Sequence, residues 1–286
     1  MVKVKGSLII ETVSVTQINI IDDLEKALLL GDQLALFYQP QVDLTTNKII
    51  GIEALIRWFH PEKGLIPPLE FIPIAEETGL IVPLGKWVLT KACNQLSQWH
   101  EEGYQDLKVS VNIATDHFRN IGFYDDIVTI LKETSLEPQS LELEITETGL
   151  LQSCEAILET FDKLTKLGVS IAIDDFGTGY SSLSYLRNYP IAKLKIDQTF
   201  IFELPNKVDC AIVSAIMDMT TNLGIKVIAE GVENATALNY LKNIGCNEIQ
   251  GYYFSKPLPV NEITTLLIKN RFERHKIINL LEKDNQ

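Results

Sequence analysis

Short apolar, β-branched runs alternate along this chain with helix-length stretches whose apolar residues recur every three or four positions, the signature of repeated strand-helix units on a mostly parallel sheet. From Asp22 onward the strand-like runs fall at 34–42, 48–58, 107–113, 140–146, 169–175, 191–197, 225–231 and 247–253. Only Leu44-Thr45-Thr46-Asn47 separates the first two, a turn rather than a crossover, so they should pair antiparallel. Helical patterns occupy 82–103, 123–134, 153–167, 181–188, 208–223 and 234–244, and several stop at a glycine: Gly103, Gly168, Gly224 and Gly245. Eight strands with intervening helices predict an α/β fold, a (β/α)8 TIM-like barrel with an antiparallel first strand. A doubly wound open sheet is the alternative, weakened because no glycine-rich dinucleotide turn follows the first strand. Residues 1–21 read as a leader or linker, 22–269 as the folded domain, and 270–286 as a helical tail with apolar positions at Ile277, Ile278, Leu280 and Leu281.

The chemistry is concentrated at the carboxyl ends of the strands, which in a barrel converge on one mouth. In order these ends carry Glu53, Asn112, Glu144, Asp174 with Asp175, Lys195, Glu230 and Gln250. Strand periodicity turns Asn112, Glu144, Asp174, Lys195 and Glu230 inward, while Leu143, Ile173 and Leu194 face the helices. Five carboxylates around one opening repel one another unless cations neutralise them, and an all-oxygen set that includes an asparagine suits magnesium or manganese rather than zinc. A shared carboxylate such as Asp174 can bridge two ions, an arrangement fitted to phosphoryl displacement. Lys195, the one cation of the set, would orient water or meet developing negative charge. The glycines of DDFGTGYSSL let the loop after Asp175 bend sharply, and Glu147 is placed to anchor it. Glu142 and Lys193, inward on their strands, are expected to form an interior ion pair. His60, His100, His117 and His275 show no paired spacing and are read as outside the chemistry.

Composition narrows the class further. The 286 residues carry 25 Lys+Arg against 38 Asp+Glu, a net charge of −13 that excludes a basic nucleic-acid-binding surface. Cys93, Cys154, Cys210 and Cys246 are far apart with no CxxC pair, so they are expected as buried free thiols in a reducing cytoplasm. No apolar run reaches the roughly 18 residues that a membrane span requires.

Nine motifs in order closely resemble the EAL family of cyclic-di-GMP phosphodiesterases: YQPQVDL (38–44), EALIRW from Glu53, FIPIAEETGLI (71–81), SVNIA (110–114), LELEITE (141–147), DDFGTGYSSL (174–183), LKIDQTF (194–200), IAEGVE (228–233) and QGYYFSKPL (250–258). The resemblance implies metal-dependent hydrolysis of cyclic di-GMP to linear pGpG, with two Mg2+ or Mn2+ ions per site. Carried onto this chain, it makes Glu53, Asn112, Glu144 and Asp174 ligands of one ion, with Asp174, Asp175 and Glu230 at the second. It makes Lys195 the water-orienting lysine, Glu233 an outer acid, Gln39, Leu55, Arg57 and Gln250 substrate-side residues, and Glu147 the loop anchor. A homodimer, a cytoplasmic setting and an upstream sensory or cyclase domain are further implications. No catalytic position departs from the family pattern, which argues against the alternative reading, a non-hydrolytic or autoinhibited cyclic-di-GMP receptor. A barrel enzyme acting on another phosphorylated substrate is the third.

Overall fold

A computed structural model of the chain describes residues 15–151, 155–178, 186 and 189–272. The first element, α1 (Val15–Leu30), places Leu24 and Ala27 in the core at 0% exposure, with Ile20 and Leu28 packed alongside. The boundary read at residue 21 therefore falls inside a helix: the spacing of Ile20, Leu24, Ala27 and Leu28 marks one apolar face, interrupted in the sequence by Asp22 and Asp23.

Strands β1 (Leu34–Asp43) and β2 (Lys48–His60) form the expected antiparallel hairpin, with Gln39 opposite Glu53. Its turn is set by the Asp43 carboxylate, which accepts from the Thr45 amide at 2.7 Å, and by Asn47 at φ 53°. Parallel strands β4 (Lys108–Asn112), β5 (Leu141–Thr146), β6 (Ser170–Phe176), β7 (Lys193–Ile196) and β8 (Lys226–Ala229) follow from β2; β3 (Gly64–Ile66) extends the far end of β2. Strand β9 (Glu248–Ile249) runs parallel to β8 and antiparallel to β1, which closes the ring. The result is the eight-stranded barrel with its first strand reversed. Strand β3 and β10 (Leu258–Pro259), which caps the edge of β1, are three and two residues long, too short for alternation to register in the sequence.

Helices α2 (Pro68–Thr78), α3 (Ile81–Glu101), α4 (Thr115–Phe118), α5 (Phe123–Glu133), α6 (Glu147–Leu151), α7 (Glu155–Leu167), α8 (Lys207–Leu223), α9 (Ala235–Asn243) and α10 (Val260–Phe272) complete the described elements. The expected helices at 82–103, 123–134, 153–167, 208–223 and 234–244 correspond to α3, α5, α7, α8 and α9. The one expected at 181–188 lies outside the described residues except for Leu186. Helix α2 escaped the sequence reading because Pro73 stands inside it. Gly103, Gly168, Gly224 and Gly245 all adopt positive φ, and Gly224 caps α8 through its amide to Thr220 and Thr221 carbonyls. Helix α10 runs past residue 270, and Asn270 ties it to the hairpin by accepting from the Ile49 amide and donating to the Asn47 carbonyl. The apolar positions at 277–281 lie outside the described residues.

Two apolar cores hold these layers. The larger fills the space between barrel and helices; in it Tyr38 of β1 meets Trp99 of α3 edge-on at 5.1 Å. The smaller joins α1, α2 and α3 to the upper part of β2 through Leu24, Trp58, Phe71, Ile81 and Leu84, and so fixes the strand segment that carries Leu55 and Arg57. Cys93 and Cys246 are buried, their thiols pushed up to about 12 by burial. Cys210 is only half-buried, a correction to the expectation for all four, because on α8 it packs against the main core without being enclosed by it; Cys154 lies outside the described residues. No helix among the described residues is long and apolar enough to cross a membrane.

Inside the barrel one polar layer lies below the mouth. Lys193 Nζ stands 3.1 Å from Glu142, 3.3 Å from Glu248 and 3.5 Å from Gln41, and Ser110 donates to Glu142 at 2.9 Å. Burial pulls the Lys193 ammonium down, but Glu142 and Glu248 together hold it above its ordinary value. Removing one partner of such a pair leaves an uncompensated buried charge, so Lys193→Met is expected to lower unfolding free energy by about 3–5 kcal/mol in a denaturant titration. A loss below about 1 kcal/mol would show that the layer does not hold the barrel together.

Candidate active site

One layer above Lys193, β7 delivers Lys195 to the barrel axis at 1% exposure. Four carboxylates from four other strand ends close on its Nζ: Glu144 at 2.6 Å, Glu230 at 2.8 Å, Asp174 at 3.1 Å and Glu53 at 3.8 Å. Asn112 donates to Glu53 at 2.6 Å, and Gln250 donates to the other Glu53 oxygen and, at 3.2 Å, to Gln39. The structure thus brings together Asn112, Glu144, Asp174, Lys195 and Glu230, whose inward parity was read from the strands, with the strand-end residues Glu53 and Gln250 and with Gln39, which the resemblance implied.

One ammonium faces four carboxylates, Glu53, Glu144 and Asp174 buried and Glu230 half-buried, so the centre carries more acid than base. Burial pulls Lys195 down, but Glu144, Glu230, Glu53 and Asp174 hold it well above the ordinary lysine range. Burial raises Glu144 well above its usual value against the pull of Lys195. Glu230 is pushed up to about 8 by burial, with Asp174 and Glu53 adding to the effect. Asp175, at φ 52°, is pushed up to about 6 by burial and then by Asp174 and Asp197. Oxygens of Asp174, Asp175 and Glu230 lie within 4.8 Å of one another, and Glu144 Oε1, fully buried, has no hydrogen-bond partner among the described residues. Hard divalent cations fit this donor set, since they would offset the surplus charge and satisfy the free Glu144 oxygen.

The Glu147 carboxylate accepts from the Gly177 amide at 3.0 Å, which ties α6 to the turn after Asp175. Gly177 sits at φ 98°, and a Cβ there would meet the Phe200 ring at 2.8 Å, so the turn tolerates no larger residue.

A cavity of about 250 Å³ opens over the carboxylates and includes Leu55, Glu233 and Gln250. Arg57 is not part of it. It stands with Leu55, Asn112 and Glu144 around an adjoining, more apolar cavity of about 320 Å³ between β2, α2 and α3. Its guanidinium lies 5.6 Å over the Phe37 ring and donates to the Ile56 carbonyl at 2.8 Å. The first cavity also holds Asp197, Gln198 and Tyr252 and the second Glu76, to which the sequence reading gave no role, and His117, read as outside the chemistry, lines the second. Asp197 carried a signal, two residues beyond Lys195 and so of the same parity; His117 carried none.

The EAL domain family profile matches residues 21–257, and this chain belongs to the EAL domain family. It is 44% identical over 248 residues to the bifunctional diguanylate cyclase/cyclic di-GMP phosphodiesterase MucR of Pseudomonas aeruginosa, covering 86% of this chain and 36% of that protein. It is 41% identical over 230 residues to the cyclic di-GMP phosphodiesterase PdeR of Escherichia coli, covering 80% of this chain and 28% of the relative. The chain therefore spans about a third of the length of these curated relatives. The solved structure of the PaMucR phosphodiesterase in complex with c-di-GMP superposes with a TM-score of 0.82 at 43% identity, over 86% of this chain and 99% of that one. The EAL enzyme Bd1971 in its cAMP- and cyclic-di-GMP-bound form also gives 0.82, at 32% identity, over 88% of this chain and 69% of that one.

His117 is 1% exposed, and burial pushes its imidazole down to about 4, below the roughly 6.5 of an unfolded chain. A depressed native pKa contributes stability above pH 6.5 that is lost as pH falls toward 4, up to about 3 kcal/mol. Denaturant titrations at pH 7.5 and 4.5 should therefore show a smaller acid loss in His117→Leu than in the parent protein. Equal losses would mean that His117 protonates freely in the folded state.

Proposed function

We propose that this chain is a divalent-metal-dependent phosphodiesterase that hydrolyses cyclic di-GMP to linear pGpG. The observation that carries this reading is the ring of four carboxylates around buried Lys195, with Asp175 beside it, at the mouth of the barrel. The likeness to relatives named as cyclic di-GMP phosphodiesterases, and to an EAL domain solved with c-di-GMP, supports the choice of substrate.

Glu53, Asn112, Glu144 and Asp174 would hold one cation and Asp174, Asp175 and Glu230 a second, Mg2+ or Mn2+ by donor chemistry. Such ions, when bound, acidify water and neutralise charge on the phosphoryl and leaving oxygens. The protein's own groups do the rest. Lys195 remains an ammonium and donates to the attacking water or a phosphoryl oxygen, in line with the departing 3′ oxygen. Glu230, beside it, would accept that water's proton, and Glu233 lines the same cavity. Gln250 and Asn112 hold the Glu53 carboxylate in place through their hydrogen bonds. Gln39, Leu55 and Arg57 line the path from the carboxylates to the apolar cavity, a shape that matches a phosphodiester flanked by a base. The Glu147 to Gly177 hydrogen bond steadies the Asp175 turn. A cytoplasmic homodimer, within a longer sensory or cyclase protein, is the setting this reading implies.

Incubation of purified protein with cyclic di-GMP and Mg2+ or Mn2+ should yield pGpG, and a chelator should stop it. Tight binding without product would make the chain a receptor, and neither binding nor product would remove the substrate assignment. Glu53→Ala and Asp174→Asn should each lower turnover by about 100-fold or more with the fold retained by circular dichroism. For Lys195→Ala, kcat should fall far more than substrate affinity; equal losses would make Lys195 a binding residue.

A further inference from the structure

We propose that Phe37 is a positioning residue for the reaction: its ring holds the Arg57 guanidinium at the edge of the substrate cavity and leaves the donors free for a phosphate oxygen of the dinucleotide. The inference rests on the substrate reading above and deepens it. Strand parity puts Gln39 and Phe37 of β1 on the same sheet face as Glu53, Leu55 and Arg57 of β2. Phe37 stands opposite Leu55. Arg57 stands opposite Ala35, whose small side chain leaves the diagonal neighbour Phe37 room to reach the guanidinium. The contact is made, with Arg57 Cζ 5.6 Å from the centroid of the Phe37 ring. Phe59, further along the same face of β2, braces that ring at 6.0 Å between centroids.

Among the described residues Arg57 makes one hydrogen bond, to the Ile56 carbonyl, and no salt bridge, so most of its N–H donors remain available. Burial lowers the pKa of the guanidinium, and Tyr252 and Glu53, both lining the cavity over the carboxylates, oppose that fall. Arg57 itself forms part of the wall of the apolar cavity, next to Leu55 and Asn112, so its charge stands between the two spaces that the substrate would fill. A carboxylate could orient the side chain equally well, but it would occupy the fork that phosphate recognition needs and add to the surplus of acid at the mouth. An aromatic face attracts the cation through its quadrupole and takes none of its donors.

Steady-state kinetics of pGpG formation in a double-mutant cycle test the assignment. Phe37→Leu should raise KM about three- to tenfold with kcat little changed, the worth of a partly desolvated cation–π contact. Phe37→Tyr, which keeps the ring face, should retain the parent KM. Arg57→Ala should raise KM by itself, and in that background Phe37→Leu should add less than about twofold, because the group it positions is gone. Phe37→Met takes the place of Phe37→Leu in the cycle should the leucine variant not fold by circular dichroism. An equal rise in KM with and without Arg57, a parental KM in the folded Phe37 variant, or a parental KM in Arg57→Ala would overturn the positioning role and leave the phosphodiesterase reading standing. A parent protein that neither binds nor cleaves cyclic di-GMP would overturn this inference together with the functional reading.

Discussion

The structure depends on one electrostatic arrangement: a single lysine, sealed at the axis of a barrel, surrounded by four carboxylates from different strands. Lys195 alone cannot balance them; burial first, and the neighbouring carboxylates after it, hold Glu144, Glu230 and Asp175 above the ordinary carboxylate range. A barrel is suited to hold such an arrangement because each acid is carried by a rigid strand end, and the strands are locked to one another by hydrogen bonds. The surplus is the reason the site suits divalent cations, and through them a phosphodiester.

Beneath this centre the barrel repeats the motif in a milder form. On β5 and β7 the inward residues alternate Glu142 with Glu144 and Lys193 with Lys195. The lower pair is nearly self-sufficient, with Glu248, Gln41 and Ser110 completing its contacts, whereas the upper one carries the excess acids. The polar interior thus separates into a supporting layer and a reactive one. The small core around Trp58 and Phe71 adds a third element, since it positions the upper part of β2 and two of the helices that wall the apolar cavity.

Much of this was legible in the chain because period-2 parity is a strict geometric rule. Once β4, β5, β6 and β7 were read correctly, Asn112, Glu144, Asp174 and Lys195 had to face the same axis. The hairpin of β1 and β2 was equally legible, since four residues cannot make a crossover. Less was visible where the signal is tertiary. Helix α1 hid behind two aspartates, α2 behind Pro73, and β3 and β10 are too short to show alternation. Tyr252 enters the cavity through the loop after β9, and His117 reaches its cavity through the packing of α3 and α4, so neither position follows from a repeat. Arg57, grouped with the substrate-side residues, shares the apolar cavity with Glu144 rather than the cavity over Asp174, Asp175 and Glu230, because β2 continues beyond the barrel mouth.

Anomalous diffraction from crystals soaked in Mn2+ shows whether the ring of carboxylates around Lys195 holds metal. Two peaks about 4 Å apart are expected, one against Glu53, Asn112, Glu144 and Asp174, the other against Asp174, Asp175 and Glu230. No peak at these oxygens under saturating Mn2+, with the four carboxylates still closed on Lys195, would contradict it.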